Sequence, residues 1–280
     1  MARTPLMFAL VLALVAVLLS SFANMRRAAY LGAAMVGRTY PPLAPFFPVF
    51  FGDGREAAAA DYVLSHAPPH NLTAALAAFE AYADSVAWMM AVGPVKGAII
   101  TEALQSTPAY KILELGTYCG YGAMLLASAS PPGARIYTVE VVPEFAAVAR
   151  RILAHAGLAK TVSVLEGPLE THLPSLAAAA PEGPFDFVFV DHDKDAYLPD
   201  VKALLATPGL VRGDESGGTV LGVDNLGLPG SPAMVAWLRS RRPGALDTAW
   251  HKTVVEFVRG IPDLVSVSRV LDAAAALSEK

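Results

Sequence analysis

From residue 111 to residue 241 the chain alternates short apolar runs with amphipathic stretches, and this alternation restricts the possible folds more than any other feature. The runs Lys111–Leu115, Arg135–Glu140, 161–165, 185–190 and 218–223 read as strands. The stretches 121–129, 143–156, roughly 170–179, 195–206 and 231–241 read as helices, and on 143–156 Val148, Ile152 and Leu153 share one side. Such alternation predicts an α/β fold: a mostly parallel sheet, helices on both faces, and ligand sites at the carboxyl ends of the strands. Helices at 55–66, 72–90 and 94–106 are expected before the first strand. Two late β-rich runs, 247–258 and 263–271, joined by a turn around Ile261-Pro262-Asp263, predict an antiparallel edge that brings the sheet to seven strands. No internal repeat is present.

The N-terminal fifty residues differ in character. No charged residue occurs between Arg3 and Arg26, and Leu6 to Leu19 is wholly apolar. About 20 such residues at 1.5 Å rise each would cross a ~30 Å hydrocarbon layer. Residues 1–27 are therefore expected to form a signal-anchor helix in a single-pass protein of the endoplasmic reticulum or plasma membrane. The competing reading is a cleaved signal peptide and secretion, since Ser21-Phe22-Ala23 resembles a cleavage site. Arg26 and Arg27 outweigh Arg3 and place the following domain in the cytosol. The sequon Asn71-Leu72-Thr73 argues the other way, but such triplets arise often by chance. Residues 28–54 carry Tyr40-Pro41-Pro42 and Pro45-Phe46-Phe47-Pro48, which suit a linker near the membrane rather than a helix. The domain proper is expected at 55–280. A formal net charge of −4 gives no reason to expect a nucleic-acid partner, and the single cysteine, Cys119, excludes an internal disulfide framework.

Leu113-Glu114-Leu115-Gly116-Thr117-Tyr118-Cys119-Gly120-Tyr121 is a strand, a glycine turn and a helix start. Gly116 and Gly120 would let backbone approach a ligand where a Cβ would collide. Glu114 at the strand end can accept from an amino group such as that of a methionine moiety, and Glu140 at the next strand end can bind ribose hydroxyls. Without a Gly-Lys-Ser/Thr triplet, a ribose-bearing cofactor lacking phosphate fits better than a nucleotide phosphate.

Asp191-His192-Asp193-Lys194-Asp195 follows one buried strand and Asp224-Asn225 follows the next. Two carboxylates and an amide oxygen at neighbouring strand ends form a hard, all-oxygen donor set suited to Mg²⁺. Zinc is disfavoured, because no paired His motif accompanies Cys119. Lys194, three residues after Asp191, can lean over the same centre. Beside a divalent ion like-charge repulsion disfavours an ammonium, which suits this lysine to general-base work, while Asp193 and Asp195 oppose that effect.

These segments, with Ala87-Trp88-Met89-Met90-Ala91-Val92-Gly93-Pro94-Val95-Lys96-Gly97 and Glu256, resemble catechol O-methyltransferase, particularly its membrane-anchored form, and the related transmembrane O-methyltransferases. The resemblance runs from about Gly52 to near Val270. It implies a Rossmann-like class I methyltransferase fold and transfer of a methyl group from S-adenosylmethionine to one hydroxyl of a Mg²⁺-chelated catechol, a small-molecule substrate of catecholamine type. Carried over residue by residue, it implies that Val92, Glu114, Gly116, Tyr118, Gly122, Glu140, Val141, Leu169 and Asp191 surround the cofactor. It implies that Asp191, Asp224 and Asn225 hold Mg²⁺ and that Lys194 takes the proton from the reacting hydroxyl. Asn225 and Glu256 would contact the catechol oxygens, and Trp88, Met90 and Pro229 would grip the ring.

Three departures from the family pattern stand out. Gly122 replaces a serine near the cofactor, Leu169-Glu170 replaces a Ser-Gln pair near the adenine, and Asp193 replaces a tryptophan beside the substrate. The last removes an apolar contact and would favour a polar or cationic catechol. Two alternatives remain at this level: a cation-dependent methyltransferase of the caffeoyl-CoA type, and an anchored interaction protein with little catalysis.

Overall fold

The computed structural model describes residues 54–178, 183–214, 217–241, 244–258 and 260–278. The anchor read at 1–27 and the linker read at 28–54, save its last residue, lie outside the described residues. Among the described residues no helix is long and apolar enough to cross a membrane.

One seven-stranded sheet organises the chain: β1 (Lys111–Leu115), β2 (Arg135–Glu140), β3 (Val162–Glu166), β4 (Phe187–Val190), β5 (Val220–Val223), β6 (Leu246–Val254) and β7 (Pro262–Val270), in the order β3-β2-β1-β4-β5-β7-β6. The first five strands pair in parallel, and β7 runs antiparallel to both β5 and β6. β1 lies between β2 and β4, so the chain moves outward one way through β2 and β3 and then returns to the other side of β1. Diverging connections leave a crevice at the carboxyl ends of β1 and β4.

Side-chain alternation along the strands sorts the core into two layers. Ile112, Phe187 and Phe189 face a layer built by α1 (Arg55–His66), α2 (Leu72–Ser85), α3 (Gly93–Gln105), α4 (Tyr121–Ala129) and α5 (Pro143–His155), with Val63, Phe79, Ile100, Met124 and Ile152 packed there. Leu113, Leu115, Val188 and Val190 face the layer of α6 (Leu169–Ala178), α7 (Tyr197–Ala206), α8 (Pro232–Ser240) and α9 (Ala273–Leu277), where Leu176, Val201, Trp237 and Ala276 pack. Every residue of β1 and β4 is buried, as a parallel strand covered on both faces requires. Asn71, the sequon asparagine, caps α2 by accepting from Ala74 N at 3.0 Å.

Several boundaries differ from the sequence reading. The second helix, expected through residue 90, ends at Ser85, and the chain then runs without regular structure to the Gly93-Pro94 start of α3, delivering Trp88 to the β6–β7 connection. The strand expected at 185–190 begins at Phe187, because Phe185 makes an isolated bridge to Val211 instead. β6 stops at Val254, so Glu256 lies in the connection to β7 rather than in a strand, and Asp263 lies inside β7 rather than in a turn. α9 went unread, although Asp272 before a run of alanines is a recognisable start: its side chain accepts from Ala275 N.

Candidate active site

β1 delivers Glu114 to the crevice on the α1–α5 side of the sheet, since its alternation partner Ile112 faces that layer. The carboxylate is buried and accepts from Thr138 Oγ1 at 2.5 Å, while Thr138 pairs with Thr117 Oγ1 at 2.6 Å. Its other oxygen, Oε1, is buried without any partner. Burial pushes the Glu114 carboxyl up to about 8, the Thr138 bond pulls it back, and the charges of Asp191 and Glu140 add to the rise. A buried carboxylate oxygen with nothing to accept from suits the ammonium of an amino-acid moiety.

Gly116 follows at a φ of 100°, and a Cβ there would lie 2.3 Å from the carbonyl oxygen of Asp191. This glycine lets the cofactor turn pass against the protein's own β4 end, a closer restriction than the ligand approach expected of it. Tyr118, at a φ of 47°, donates its N–H to Glu140 at 2.7 Å and its hydroxyl to Glu56 of α1 at 2.8 Å. Glu140 also accepts from Val142 N at 2.9 Å, and burial raises its carboxyl against those backbone bonds. Val141 beside it is exposed at the strand end, whereas Leu169 and Val92 are buried at the starts of α6 and α3. The two carboxylate acceptors and the apolar edge together fit a cofactor with an amino-acid end, a ribose and a flat base.

β4 and β5 pair in register, Val190 opposite Val223, so Asp191 and Asp224 leave adjacent strands side by side. Asp191 is held by Leu115 O on its N–H and accepts from Lys194 Nζ at 2.9 Å. Lys194 Nζ also donates to the Tyr197 hydroxyl and lies 4.6 Å from the centre of that ring. Burial, then the charge of Asp191, holds the Tyr197 phenol well above its ordinary range, so it stays a donor. Asp193 is exposed and accepts from Asp195 N at 3.2 Å.

Asp224 is fully buried and accepts from Lys96 Nζ at 2.7 Å and from Asn225 N at 2.7 Å. Burial pushes its carboxyl up to about 7 against the pull of Lys96. Burial also works against the Lys96 ammonium, but Asp224, Asp191 and Asp263 outweigh it and raise that lysine above its ordinary value. Asn225 adopts a left-handed backbone, φ 51°, which asparagine tolerates. Among the described residues no three His, Cys, Asp or Glu side chains gather into a metal-holding group, so a metal here depends on the Asn225 amide oxygen as third donor. Two carboxylates and an amide oxygen fit a hard divalent ion.

Glu256 approaches from the far side of α3, accepting from Lys96 N at 2.7 Å. Burial raises its carboxyl above the ordinary range, and Lys96 opposes that rise. Gly93 makes the approach possible, since a Cβ there would lie 2.6 Å from Glu256 Cγ. Trp88 donates its indole N–H to Glu256 O at 3.3 Å and packs with Val255 and Val258, flanked by Met90, Leu228, Phe257 and Ile261. Pro229, half-buried, is joined to Leu228 by a cis peptide, and it is Leu228 that packs against this cluster. Glu256 also lines a cleft of about 510 Å³ between α2 and the β6–β7 connection, shared with Glu80 and Asp84.

The fold thus gathers Asp191, Lys194, Asp224 and Asn225 at two strand ends, with Glu256 tied to them through Lys96. Lys96, Asp263, Thr138, Tyr197 and Glu56 were given no role in the sequence reading. Lys96 carried a signal: it shares the four-residue spacing of Val92, Ile100 and Leu104, all buried, so a lysine sits on the apolar face of α3.

The O-methyltransferase family model matches residues 67–231. A probable O-methyltransferase of Mycobacterium tuberculosis is 40% identical over 79% of this chain and 94% of its own. The catechol O-methyltransferase of Mus musculus is 34% identical over 79% of this chain and 80% of its own, and the transmembrane O-methyltransferase of Homo sapiens is 34% identical over 76% and 69%. Among solved structures, the O-methyltransferase TomG from Streptomyces achromogenes, in complex with SAM, superposes with a TM-score of 0.57 at 25% identity, covering 81% of this chain and 95% of that one. The O-methyltransferase from Bacillus cereus, in complex with SAH, gives a TM-score of 0.56 at 25% identity over 76% and 97%. With the family model spanning more than half its length, the chain belongs to the O-methyltransferase family.

Proposed function

We propose that this enzyme transfers a methyl group from S-adenosylmethionine to one hydroxyl of a catechol, with Mg²⁺ bound by Asp191, Asp224 and Asn225 and with Lys194 as general base. The observation that carries the reading is the pairing of β4 with β5, which sets Asp191 beside Asp224-Asn225 with Lys194 already bonded to Asp191. The bound cofactor of the Streptomyces relative and the name of the mouse relative support the methyl donor and the substrate class.

In this reading the cofactor supplies an electrophilic methyl group and the ion lowers the cost of an ionised phenol oxygen. Glu114 would accept from the cofactor's ammonium, Glu140 from its ribose hydroxyls, and Val141, exposed at the strand end, would offer apolar surface to its base, with Leu169 buried behind the start of α6. Lys194 Nζ, oriented by Asp191 and Tyr197, receives the proton of the reacting hydroxyl. Glu256 accepts from the neighbouring hydroxyl. Trp88, Met90 and Pro229, with Leu228 beside it, would hold the ring flat and exclude water, which keeps the reacting oxygen in line. Exposed Asp193 at the rim favours a catechol with a cationic tail.

The test is a methyl-transfer assay on a catechol panel with and without Mg²⁺. Turnover of simple catechols that vanishes on chelation is expected. A rate that survives chelation overturns the metal role, and a preference for caffeoyl-CoA moves the enzyme to that substrate class. Residues 1–27 are proposed to anchor the domain on the cytosolic side of a membrane, to be checked by carbonate extraction and protease protection; release of a soluble, processed chain overturns the anchor.

A further inference from the structure

Asp263, in β7, lies 38 residues along the chain from Asn225 yet is bonded to its side-chain amide and, on the same oxygen, to Lys96, the partner of Asp224. It is buried, and its two oxygens divide the work cleanly. Oδ1 accepts from the backbone of Gly227 at 3.1 Å, Leu228 at 2.9 Å and Leu264 at 2.8 Å. Oδ2 accepts only from side chains: Asn225 Nδ2 at 2.8 Å and Lys96 Nζ at 3.2 Å. Asn225 spends its remaining amide hydrogen on Leu228 O at 3.2 Å. Turned over, that amide would set its oxygen against a carbonyl and a carboxylate, three acceptors facing one another with no hydrogen between them.

We propose that Asp263 is a positioning residue of the donor set: by accepting from Asn225 Nδ2 it fixes the amide with oxygen, not nitrogen, toward Asp191 and Asp224, and through Lys96 it holds the Asp224 carboxylate on the same axis. The inference rests on the reading of these residues as a divalent-ion site. Asp263 contacts neither ion nor substrate in this scheme. It decides what Asn225 can offer.

The division between the two oxygens makes a selective variant available. Asp263→Asn keeps an oxygen for the three backbone N–H groups but places an NH₂ group where Oδ2 met two donors. Donor then faces donor, and the relief is rotation of Asn225, which withdraws its oxygen. Asn225→Asp in the same chain restores an acceptor opposite the new amide and returns an oxygen to the donor set. A third carboxylate raises the affinity for a cation by itself, so the comparison that counts is with Asn225→Asp alone, where two carboxylates face each other. The pairing predicts that the double variant binds at least as tightly as that single variant, and a purely structural role for Asp263 does not.

The experiment titrates Mn²⁺, a hard divalent ion visible by electron paramagnetic resonance, into full-length wild type, Asp263→Asn, Asn225→Asp and the double variant, with SAH binding and melting temperature measured alongside. Asp263→Asn is expected to weaken Mn²⁺ binding about tenfold or more while SAH affinity holds, and the double variant to return to within about threefold of wild type. Equal Mn²⁺ affinity in wild type and Asp263→Asn overturns the inference and leaves the metal reading intact. Absence of Mn²⁺ binding by the wild type overturns the metal reading and the inference with it. Should Asp263→Asn fail to fold, the double variant is set against Asn225→Asp alone: Mn²⁺ binding at least as tight in the double variant supports the pairing, and binding tenfold weaker or absent overturns it.

Discussion

The carboxylate of Glu114 occupies the space a side chain at Gly122 would need, for an ideal Cβ at 122 would stand 2.1 Å from Glu114 Oε1. The glycine that departs from the family's serine is therefore matched to the position this acid adopts against Thr138. Gly122→Ala is expected to push the carboxylate off Thr138 toward the cofactor crevice. One buried hydrogen bond is lost, at about 1–2 kcal/mol, read as a fall in melting temperature. SAH affinity should change by less than about tenfold, because the displaced oxygen moves toward its proposed partner. A hundredfold loss would show instead that the added methyl group at 122 blocks the cofactor itself rather than only displacing Glu114.

Glu114 also predicts a proton balance. Its carboxyl is pushed from 4.5 up to about 8 by burial, so at neutral pH it holds a proton in the cofactor-free protein. Binding a cofactor ammonium favours the ionised form and expels that proton. SAH affinity should rise from pH 6 to pH 8 and level off above, and calorimetry in buffers of different ionisation enthalpy should detect proton release below pH 8. For the free protein the sign is opposite: a raised carboxyl stabilises below 4.5, and that contribution is lost as pH climbs through about 8. Glu114→Gln should remove both effects. Proton release that persists in that variant places the titrating group elsewhere, with Glu140, whose carboxyl burial also raises, the nearest candidate.

Lys194→Met tests the base directly. The chain keeps Asp191 tied to the Leu115 carbonyl through its own N–H, so SAH binding should survive. Loss of a general base typically costs about 10²–10⁴ in rate, and the deficit should appear in kcat more than in KM. A catechol bearing electron-withdrawing groups, already ionised at assay pH, should recover much of the rate. Recovery no greater than for wild type would leave Lys194 a structural partner of Asp191 and Tyr197.

How much of this was legible in the sequence depends on the kind of interaction. The strand ends carrying Glu114, Glu140, Asp191 and Asp224 could be read because apolar runs mark strands and the fold places strand ends together. Burial periodicity also announced the seven-stranded sheet with its antiparallel edge. Contacts across the sheet were not legible. Asp263 sits between Pro262 and Leu264 with nothing to mark it, and its partners lie 36 and 167 residues away. Likewise the slot around Trp88 depends on where the chain leaves α2 and on the β6–β7 connection, and helix and strand ends are the least determined features of a pattern.

Glu256 lies in the β6–β7 connection and Trp88 docks against it from the segment before α3, yet only the acid should matter to hydroxyl recognition. Glu256→Gln retains an oxygen for Lys96 N, so folding should be nearly unaffected. It loses the charged acceptor proposed for the second hydroxyl, worth about 1.5–3 kcal/mol, so kcat/KM for catechol should fall about 10–100-fold. A monophenol has no second hydroxyl and should show no such sensitivity. Equal losses on both substrates would make Glu256 a support for Lys96 rather than a substrate contact.

Lys96 is the counter-ion on which the centre depends when no metal is bound, with its ammonium 2.7 Å from Asp224 and 3.2 Å from Asp263 and almost no exposure. Lys96→Met conserves the apolar stem but leaves two buried carboxylates unopposed, a defect that costs about 3–5 kcal/mol when one partner of a buried pair is removed. For a domain of this size each kcal/mol corresponds to about 2–4 °C in melting temperature. The loss should depend on pH in a fixed direction. Asp224 is already raised to about 7 with Lys96 pulling it down, so without the lysine it rises further and takes a proton more readily. The variant should therefore lie closer to wild type at pH 6 than at pH 8, where Asp224 must ionise. Added Mg²⁺ should narrow the gap at pH 8 by supplying the missing positive charge, in a way that Na⁺ at equal ionic strength does not. A Lys96→Met protein that melts with wild type at pH 8 would mean that the Lys96 ammonium does not stabilise the Asp224 carboxylate in the folded protein.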